Sequence, residues 1–436
     1  MISVHENVKG NEMINAYENI LKQKLNQNII QGYEVYYSQS ESLGLNAELD
    51  KIKINEWDYE HGVGIRVLKN NKVGFAFGQR LEDAGKVIDN AVFVSKFNPV
   101  TKEFSFNSKS KVNDLKYNYV SREDESTELL LKDYLKSCVD IKGHIETYAS
   151  LSMGGGRLIN SEGMDIIEKW DSNVSLYTSV RKGETSGSES LTLPTFDDRF
   201  YNVPNKALEN AVINDKGKKQ SFNGLIIIQS TALRSLLSFY LSSFTGLRKH
   251  YNMTKFNVND VVGSEDLNII DDSLDVRGTS RTSFDMEGTP SKTLPIVEKG
   301  ILKRFAYDRW FAVLDGLEPN QDNGFCSRGS YSSSPGIGFS NIVIPKGKSK
   351  FSDFDNVAVV ESVFGLHTAN PISGRFGLPI DRGYILSNGE KTGLKDVMLS
   401  GNIFEGLKNV NGIGNEQEVN GSFILPWVAV KGWEIF

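Results

Sequence analysis

Residues 267–302 constrain the fold more than any other part of the chain. They read LNIIDDSLDVRGTSRTSFDMEGTPSKTLPIVEKGIL, a loop rich in Asp, Gly and Pro between two short apolar runs. Residues 267–270 have the pattern of a short buried strand, and residues 293–297 start a second strand that turns at residues 298–300. Because loops held by a rigid frame often carry function, the segment predicts a site-forming loop anchored at both ends in strands.

Composition excludes several classes of protein. The 436 residues are 39% hydrophobic, enough for a large core, and the net charge of -6 leaves no basic stripe for direct binding of nucleic acid. The first residues lack a basic segment leading into an apolar one, and the apolar runs are too short to span a membrane. Cys138 and Cys326 are too few for a disulfide framework or a C-x-x-C metal site, so we expect them to pack inertly. These features predict a cytoplasmic protein with no membrane contact.

Local periodicity predicts an α+β fold. Helical spacing covers residues 12–28 and 81–97, and between them alternating strands at 33–40, 62–68 and 73–78 include a hairpin that turns at residues 69–72. Further helices are predicted at residues 123–139, 205–212 and 232–244, and further strands at 145–153, 157–160, 173–180 and 224–229. The three glycines at 154–156 favour a turn over a phosphate cradle.

The Lys- and Gly-rich break at residues 215–223 predicts a domain boundary. We therefore expect an N-terminal α/β domain with antiparallel strands over residues 1–220. A β-rich domain with many short strands would follow over residues 221–436.

Common catalytic motifs are absent from the sequence. There is no G-x-S-x-G, no G-x-x-x-x-G-K-[ST] and no G-x-G-x-x-G between a strand and a helix. The five serines within residues 327–334 are interpreted as a flexible polar loop. The acidic residues at 271, 272, 275, 285 and 287 could hold a hard cation, but capping turns and pairing with Arg277 and Arg281 is the favoured interpretation.

A series of short motifs runs along most of the chain in a fixed order. They are G-x-G-x-R-V at residues 62–67, N-S-x-G at 160–163, F-D-x-E-G-T-P at 284–290, P-G-I-G-F-S-N at 335–341, G-Y-I-L-S-N-G-E at 383–390 and G-I-G-N-E at 412–416. In this order they resemble the TldD/PmbA (TldE) family of peptidase-related proteins. The resemblance implies an N-terminal α/β domain, a β-rich C-terminal domain of the TldD/PmbA type, and a dimer that encloses a chamber.

The zinc motif of the TldD branch is missing. In that branch a helix carries H-E-x-x-x-H and a later Cys completes the site, whereas residues 232–246 here contain no His, Cys, Asp or Glu, and residues 412–421 contain no Cys. A catalytic zinc needs three protein ligands and an open position for water. The chain is therefore similar to the PmbA/TldE branch, and we expect no catalytic residue, no metal and no cofactor in it, with zinc in a TldD-like partner.

The expected function is that of a non-catalytic subunit of a TldD/TldE-type metallopeptidase, acting in proteolysis and peptide maturation. It would form a heterodimer with the zinc-bearing subunit, or a homodimer, and hold a peptide substrate. Two alternatives stay open: a self-sufficient peptidase with unrecognised ligands, and a homodimeric peptide-binding or regulatory protein of the DNA gyrase modulator type. The candidate substrate-cleft residues are Arg281, Asp285, Glu287, Asn370, Arg375 and Asn402.

Arg375 marks a departure from the family pattern. PmbA-like chains typically read T-G-D-F-S where residues 373–377 here read S-G-R-F-G, so a base replaces an acid. An arginine in the chamber wall would favour an anionic group such as a peptide C-terminus. Alternatively, Arg375 pairs with Asp381 or Glu390 on the surface.

Overall fold

A computed structural model describes residues 2–48, 51–101, 103–116, 119–120, 131–134, 144–318 and 324–436. The helices with defined bounds are α1 (Ile2–Asn26), α2 (Ala84–Val94), α3 (Val203–Asp215), α4 (Ser230–Ser242), α5 (Gly246–His250), α6 (Arg309–Leu314) and α7 (Ile403–Lys408). The strands of the first half are β1 (Gly32–Glu48), β2 (Lys51–Lys69), β3 (Lys72–Gly78), β4 (His144–Asn160), β5 (Asp165–Lys182) and β6 (Thr185–Leu193).

The second half of the chain is built from many short strands. They are β7 (Phe222–Asn223), β8 (Ile226–Ile228), β9 (Ile269–Asp272), β10 (Thr293–Glu298), β11 (Ile301–Leu302), β12 (Cys326–Ser327), β13 (Gly336–Ile337), β14 (Ile342–Val343), β15 (Val357–Val363), β16 (Arg375–Ser387), β17 (Glu390–Gly393), β18 (Met398–Asn402), β19 (Val410–Ile413), β20 (Glu418–Asn420), β21 (Phe423–Leu425), β22 (Val428–Val430) and β23 (Glu434–Ile435). The predicted α+β class is confirmed. Of the described helices, none is long and apolar enough to cross a membrane.

The first six strands form one antiparallel sheet in the order β3-β2-β1-β4-β5-β6. Helices α1 and α2 cover part of it, with Tyr17 and Ile88 packed against Val35 and Ile65 of the central strands. The predicted β2–β3 hairpin is confirmed. Both residues of its two-residue turn have positive φ, which matches the right-handed twist of a hairpin.

Most predicted elements of the first half are confirmed. The helices predicted at residues 12–28, 81–97 and 205–212 correspond to α1, α2 with the 3-10 turn Ser95–Phe97, and α3. Strand β5 buries Val174, Leu176 and Val180 on one face, as its alternation predicts. The helix predicted at residues 123–139 falls mostly outside the described residues, although residues 131–134 are helical. Cys138 also lies outside them, whereas Cys326 is buried.

The predicted turn at the three glycines is wrong, because they lie inside β4. The register of β4 against β5 shifts between Gly154 and Gly156, which is a bulge. A Cβ at Gly154 would lie 2.9 Å from the carbonyl oxygen of Gln39, and one at Gly156 would lie 2.5 Å from that of Tyr37. The glycines therefore allow close approach of the neighbouring backbone instead of reversing the chain.

Two further sheets make up most of the second half. The larger has the order β19-β22-β8-β15-β16-β18-β23-β7, with β17 added to β16, and the smaller has the order β11-β10-β9-β14-β21-β20. Strand β8 lies between β15 and β22, so all three of its isoleucines are buried. Helix α4 packs Leu233, Leu236 and Tyr240 into the same core, which confirms the strand predicted at residues 224–229 and the helix predicted at 232–244.

Residues 267–302 form the predicted loop between two strands, although the first strand is Ile269–Asp272 and not residues 267–270. Strands β9 and β10 pair in the smaller sheet, and β10 turns into β11 through Lys299 and Gly300, which both have positive φ. The intervening loop is thus held at both ends by the sheet. It extends toward the first sheet, where the candidate site lies.

The glycine bulge gives a test of the fold. Gly156→Ala should lower the free energy of unfolding by about 1–3 kcal/mol, since the new methyl group meets the backbone of β1. Gly85→Ala is the matched control, because in α2 its Cβ would have no described atom within 4 Å apart from its chain neighbours and the backbone of its own helix. It should be neutral or stabilising by up to about 1 kcal/mol. Urea unfolding measures both, and equal stability of the two variants would contradict the close approach.

Candidate functional site

A cavity of about 440 Å³ lies between the first sheet and two loops of the second half. Strands β1, β4 and β5 supply one wall, and residues 273–291 and 324–340 supply much of the other. Its volume is in the range of small-ligand sites. The predicted site-forming loop at residues 267–302 therefore contributes directly to a cavity.

Below the cavity, Arg66 joins the sheet to that loop. It donates from Nε and Nη2 to Glu34 at 3.0 and 2.7 Å, and from Nη1 to Glu287 at 2.7 Å. All three side chains are at most 5% exposed. Glu34 and Arg66 are direct cross-strand neighbours on β1 and β2. Because a buried charge is stable only when paired, these contacts fix the loop against the sheet.

The turn around Asp285 is shaped by its own carboxylate. Asp285 accepts hydrogen bonds from the backbone N–H groups of Glu287 and Thr289, both at 2.9 Å, and Gly288 takes the positive φ of 81° that the turn requires. Burial, followed by the charge of Glu287, raises the pKa of Asp285 to about 7. In the F-D-x-E-G-T-P motif, the Asp thus shapes the turn and the Glu connects it to Arg66.

Arg328 is a charged residue of the site that sequence reasoning missed. Its side chain is 0% exposed, it donates from Nη2 to Glu34 at 2.7 Å, and its guanidinium lies 4.6 Å from the ring centre of Tyr36. It belongs to the serine-rich segment 327–334, which we predicted to be flexible. That segment is anchored instead, because Tyr331 accepts a hydrogen bond from Gln79 at 2.6 Å and is buried.

Two acidic residues of β5 also face the cavity. Tyr36 donates its hydroxyl to Glu168 at 2.8 Å, and burial raises the pKa of Glu168. Asp171 forms an ion pair with Arg281, and burial raises its pKa too. We predicted that Arg281 pairs within the acidic group of its own loop, and this is wrong. Its partner comes from a distant strand that folding brings alongside.

The acidic group itself is divided among separate contacts. Asp275 pairs with Arg277 at 2.6 Å, as predicted, and Asp272 accepts hydrogen bonds from the backbone of Leu274 and the hydroxyl of Thr293. Within the described ranges, no group of three His, Cys, Asp or Glu side chains is arranged to hold a metal ion.

Zinc does not fit the side chains of the described residues on and after helix α4. Helix α4, which corresponds by resemblance to the zinc-bearing helix, has only apolar, hydroxyl and arginine side chains, and its buried face packs into the core. The nearest histidine after it, His250, contacts Asp315 through Nδ1 at 2.7 Å. No catalytic step can therefore be assigned to a metal held by these residues.

The structure divides the six predicted cleft residues into two groups. Arg281 and Asp285 line the cavity, whereas Glu287 does not line it and pairs with Arg66. The other three, Asn370, Arg375 and Asn402, are close to one another but do not line it.

The second group shapes a turn and a helix start. Arg375 opposes Asn402 across β16 and β18, and Asn402 accepts a hydrogen bond from Phe404 at the start of α7. Asn370 accepts one from Ser373. Arg375 is exposed, and among the described residues it has no ion pair; Asp381 lies 3.9 Å from Arg382 instead.

Comparison with known proteins connects both halves of the chain to one family. Residues 223–436 match a family model described as PmbA/TldA metallopeptidase C-terminal domain, and residues 33–95 match PmbA/TldA metallopeptidase domain 1. An uncharacterized protein of Methanocaldococcus jannaschii is 30% identical over 92% of this chain and 96% of its own length. A metalloprotease TldD homolog of Buchnera aphidicola is 25% identical over 85% of this chain and 82% of its own length.

Solved structures show the same fold. TldE from Thermococcus kodakarensis superimposes with a TM-score of 0.85 at 21% identity, covering 96% of this chain and 99% of that one. A candidate modulator of a DNA gyrase from Thermotoga maritima superimposes with a TM-score of 0.84 at 23% identity, covering 97% and 100%. At these identities the likeness is one of fold alone.

Removal of Arg66 tests the buried contacts below the cavity. Arg66→Met should lower the free energy of unfolding by about 3–5 kcal/mol, because it leaves Glu287 buried without its guanidinium partner. The control is Arg157→Met on the exposed pair with Asp165, which should cost at most about 1 kcal/mol. If chemical unfolding gave similar decreases in unfolding free energy for the two variants, the Arg66 contacts would be no stronger than a surface ion pair.

Asp285 should give the folded protein a pH dependence of defined sign. Its folded pKa of about 7 lies above its ordinary value of 3.8, so between these values the folded chain keeps a proton that the unfolded chain loses. The stabilisation is full below about pH 4 and is lost as the pH rises through about 7, at up to about 1.4 kcal/mol per pH unit. Asp285→Asn should flatten this part of the curve of unfolding free energy against pH.

The control for this pH dependence is Asp165→Asn. Arg157 lowers the pKa of Asp165, so its contribution is present at neutral pH and is lost on the acid side. This variant should leave the slope between about pH 5 and pH 7 unchanged. An unchanged slope in Asp285→Asn would mean that Asp285 does not titrate in this range.

Proposed function

Because the chain belongs to the TldD/PmbA/TldE family of metallopeptidase-like proteins, we propose that it is a TldE-like subunit that holds peptides for a zinc-bearing TldD-like partner. The observation that carries the proposal is the lack of metal-ligand side chains on helix α4. The helix that supplies zinc ligands in the TldD branch offers no His, Cys, Asp or Glu here. Catalysis then belongs to the partner, and this chain completes the substrate chamber in the cytoplasm.

The packing of α4 supports this division of roles. Leu233, Leu236, Leu237 and Tyr240 are each at most 1% exposed, so the face that could present ligands is occupied by core packing. A helix can supply two ligands to one metal only if both lie on the same face, turned toward an open site. Restoring a metal site would require several simultaneous substitutions in a close-packed core.

The cavity supports a role in holding peptides. It combines polar side chains of both charge signs with apolar surface from Met153, Phe284, Met286 and Phe339. Such a mixture suits an extended peptide, which presents backbone polar groups and side chains together. The cavity lies between the sheet and loops of the second half, where the buried contacts of Arg66 keep it in shape.

The experiment measures zinc content and peptide hydrolysis with the untagged protein, purified without chelators. The protein alone should contain far less than one zinc per chain and should not cleave an unstructured peptide. Mixing with a TldD-like protein of the same organism should give a larger complex by size-exclusion chromatography, and cleavage that the chelator o-phenanthroline abolishes. A partner whose motif Glu is replaced by Gln is the control and should form the complex without cleaving.

Two outcomes would overturn the proposal. Stoichiometric zinc with chelator-sensitive cleavage by the chain alone would identify a self-sufficient peptidase. A stable homodimer that does not bind the TldD-like protein would identify a binding or regulatory protein. The Thermotoga maritima relative is named as a candidate modulator of a DNA gyrase, which is a role of this kind.

A further inference from the structure

Arg328 is incompletely satisfied at a position where it cannot rely on bulk solvent. Its side chain is 0% exposed, and the structure gives it one short hydrogen bond, from Nη2 to Glu34 at 2.7 Å, with a longer one from Nη2 to the carbonyl of Met286 at 3.4 Å. Nε and Nη1 are buried and have no hydrogen-bond partner among the described residues. Unpaired donors on a buried charge are costly, so a group within the cavity is expected to meet them.

Glu34 cannot supply the missing interactions. Arg66 occupies both of its oxygens, and the oxygen that contacts Arg328 is shared with Nε of Arg66. Glu34 is therefore divided between two guanidinium groups, whereas Arg66 has Glu287 as a second carboxylate. Among the described residues Arg328 therefore has one hydrogen-bonded carboxylate where Arg66 has two, although its charge also interacts with Glu168, and Arg328 is the one that lines the cavity.

The acidic side chains of the cavity are already engaged. Asp171 pairs with Arg281, Glu168 accepts from Tyr36, and Asp285 accepts from two backbone N–H groups. Arg328 carries a single positive charge, so it neutralises a monoanion, whereas a dianion such as phosphate would leave an uncompensated charge in the cavity. A single carboxylate is the anion that fits Arg328 best.

Two more cavity atoms without partners suit the remainder of a peptide. Oδ1 of Asn173 and Oγ of Ser291 are buried and form no hydrogen bond to the described residues, and both residues line the cavity. Oδ1 accepts from an N–H group, and a serine hydroxyl can donate or accept. An extended chain end supplies a carboxylate together with N–H and carbonyl groups, whereas a free acid such as acetate supplies the carboxylate alone.

We propose that Arg328 binds the C-terminal carboxylate of a peptide whose last residues occupy this cavity, so that the subunit recognises a free chain end. The proposal rests on the peptide-holding function and adds the chemical group that is recognised. It assigns to Arg328 the role that the sequence suggested for Arg375, which lies outside this cavity.

The test compares one fluorescein-labelled unstructured peptide in two forms, with a free C-terminal carboxylate and with a C-terminal amide. Fluorescence anisotropy measures binding to the full chain alone and to its complex with the cleavage-inactive TldD-like partner. The free acid should bind at least about tenfold more tightly, as expected for a hydrogen-bonded charge pair. Arg328→Gln should remove this preference by weakening the acid and leaving the amide unchanged.

The matched control is Arg80→Gln, an exposed arginine outside the cavity, which should keep the acid preference. Arg328→Lys should retain only part of it, because an ammonium group does not reproduce the planar donors of arginine. If Arg328→Gln fails to fold, the affinities of the native chain for the free-acid and the amidated peptide still test whether a C-terminal carboxylate is recognised.

Each remaining outcome has a defined meaning. Equal affinity for the free-acid and the amidated peptide overturns the proposal. If mixing with the active partner still produces cleavage, the proposed function stands even though the carboxylate is not recognised. An amidated peptide ending in Asp that binds as tightly as the free acid also overturns it, because the group recognised would be a side-chain carboxylate. Absence of both peptide binding and cleavage rejects the peptide-holding function itself.

Discussion

The buried contacts of Arg66 with Glu34 and Glu287 are the constraint on which the candidate site depends. They connect β1 and β2 of the first sheet to the turn at residues 284–290, and Glu287 also accepts the backbone N–H of Arg309 at the start of α6. Burying these charges has a large desolvation cost, and replacing all the partners together by apolar residues of similar volume is often neutral, whereas removing one partner alone is destabilising. Their value is therefore positional, since they fix one arrangement of loop and sheet and with it the shape of the cavity.

The sequence predicted those elements whose structure is determined by residues close to them in the chain. The β2–β3 hairpin, the alternation in β5 and the strands around residues 267–302 are decided by neighbours within a few residues, so periodicity and turn composition reveal them. The glycines of β4 were misread because their environment is set by the carbonyl groups of Tyr37 and Gln39 on another strand. In a local window, a glycine that reverses the chain and one that admits a neighbouring backbone look alike.

The candidate site shows the same division. Arg281, Asp285 and Glu287 were found because they share one loop with a recognisable motif. Their partners were not found, because Arg66 and Glu287 are 221 residues apart and Arg281 and Asp171 are 110 apart. Arg328 gave no local indication, since its serine-rich surroundings suggest solvent exposure. The available signal was the presence of Glu34 and Arg66 within the apolar stretches 32–37 and 62–68, where charged residues need partners.

The apolar packing of α4 and the polar lining of the cavity can be explained together. A helix that holds zinc must keep polar side chains directed at an open site, whereas α4 uses its inner face to stabilise the second-half core through Leu236 and Tyr240. The cavity, by contrast, has buried polar atoms of Arg328 and Asn173 with no hydrogen-bond partner in the described part of the chain, which lowers stability. These atoms are consistent with the proposed binding of a peptide at the cavity, because a ligand there would supply the missing hydrogen-bond partners.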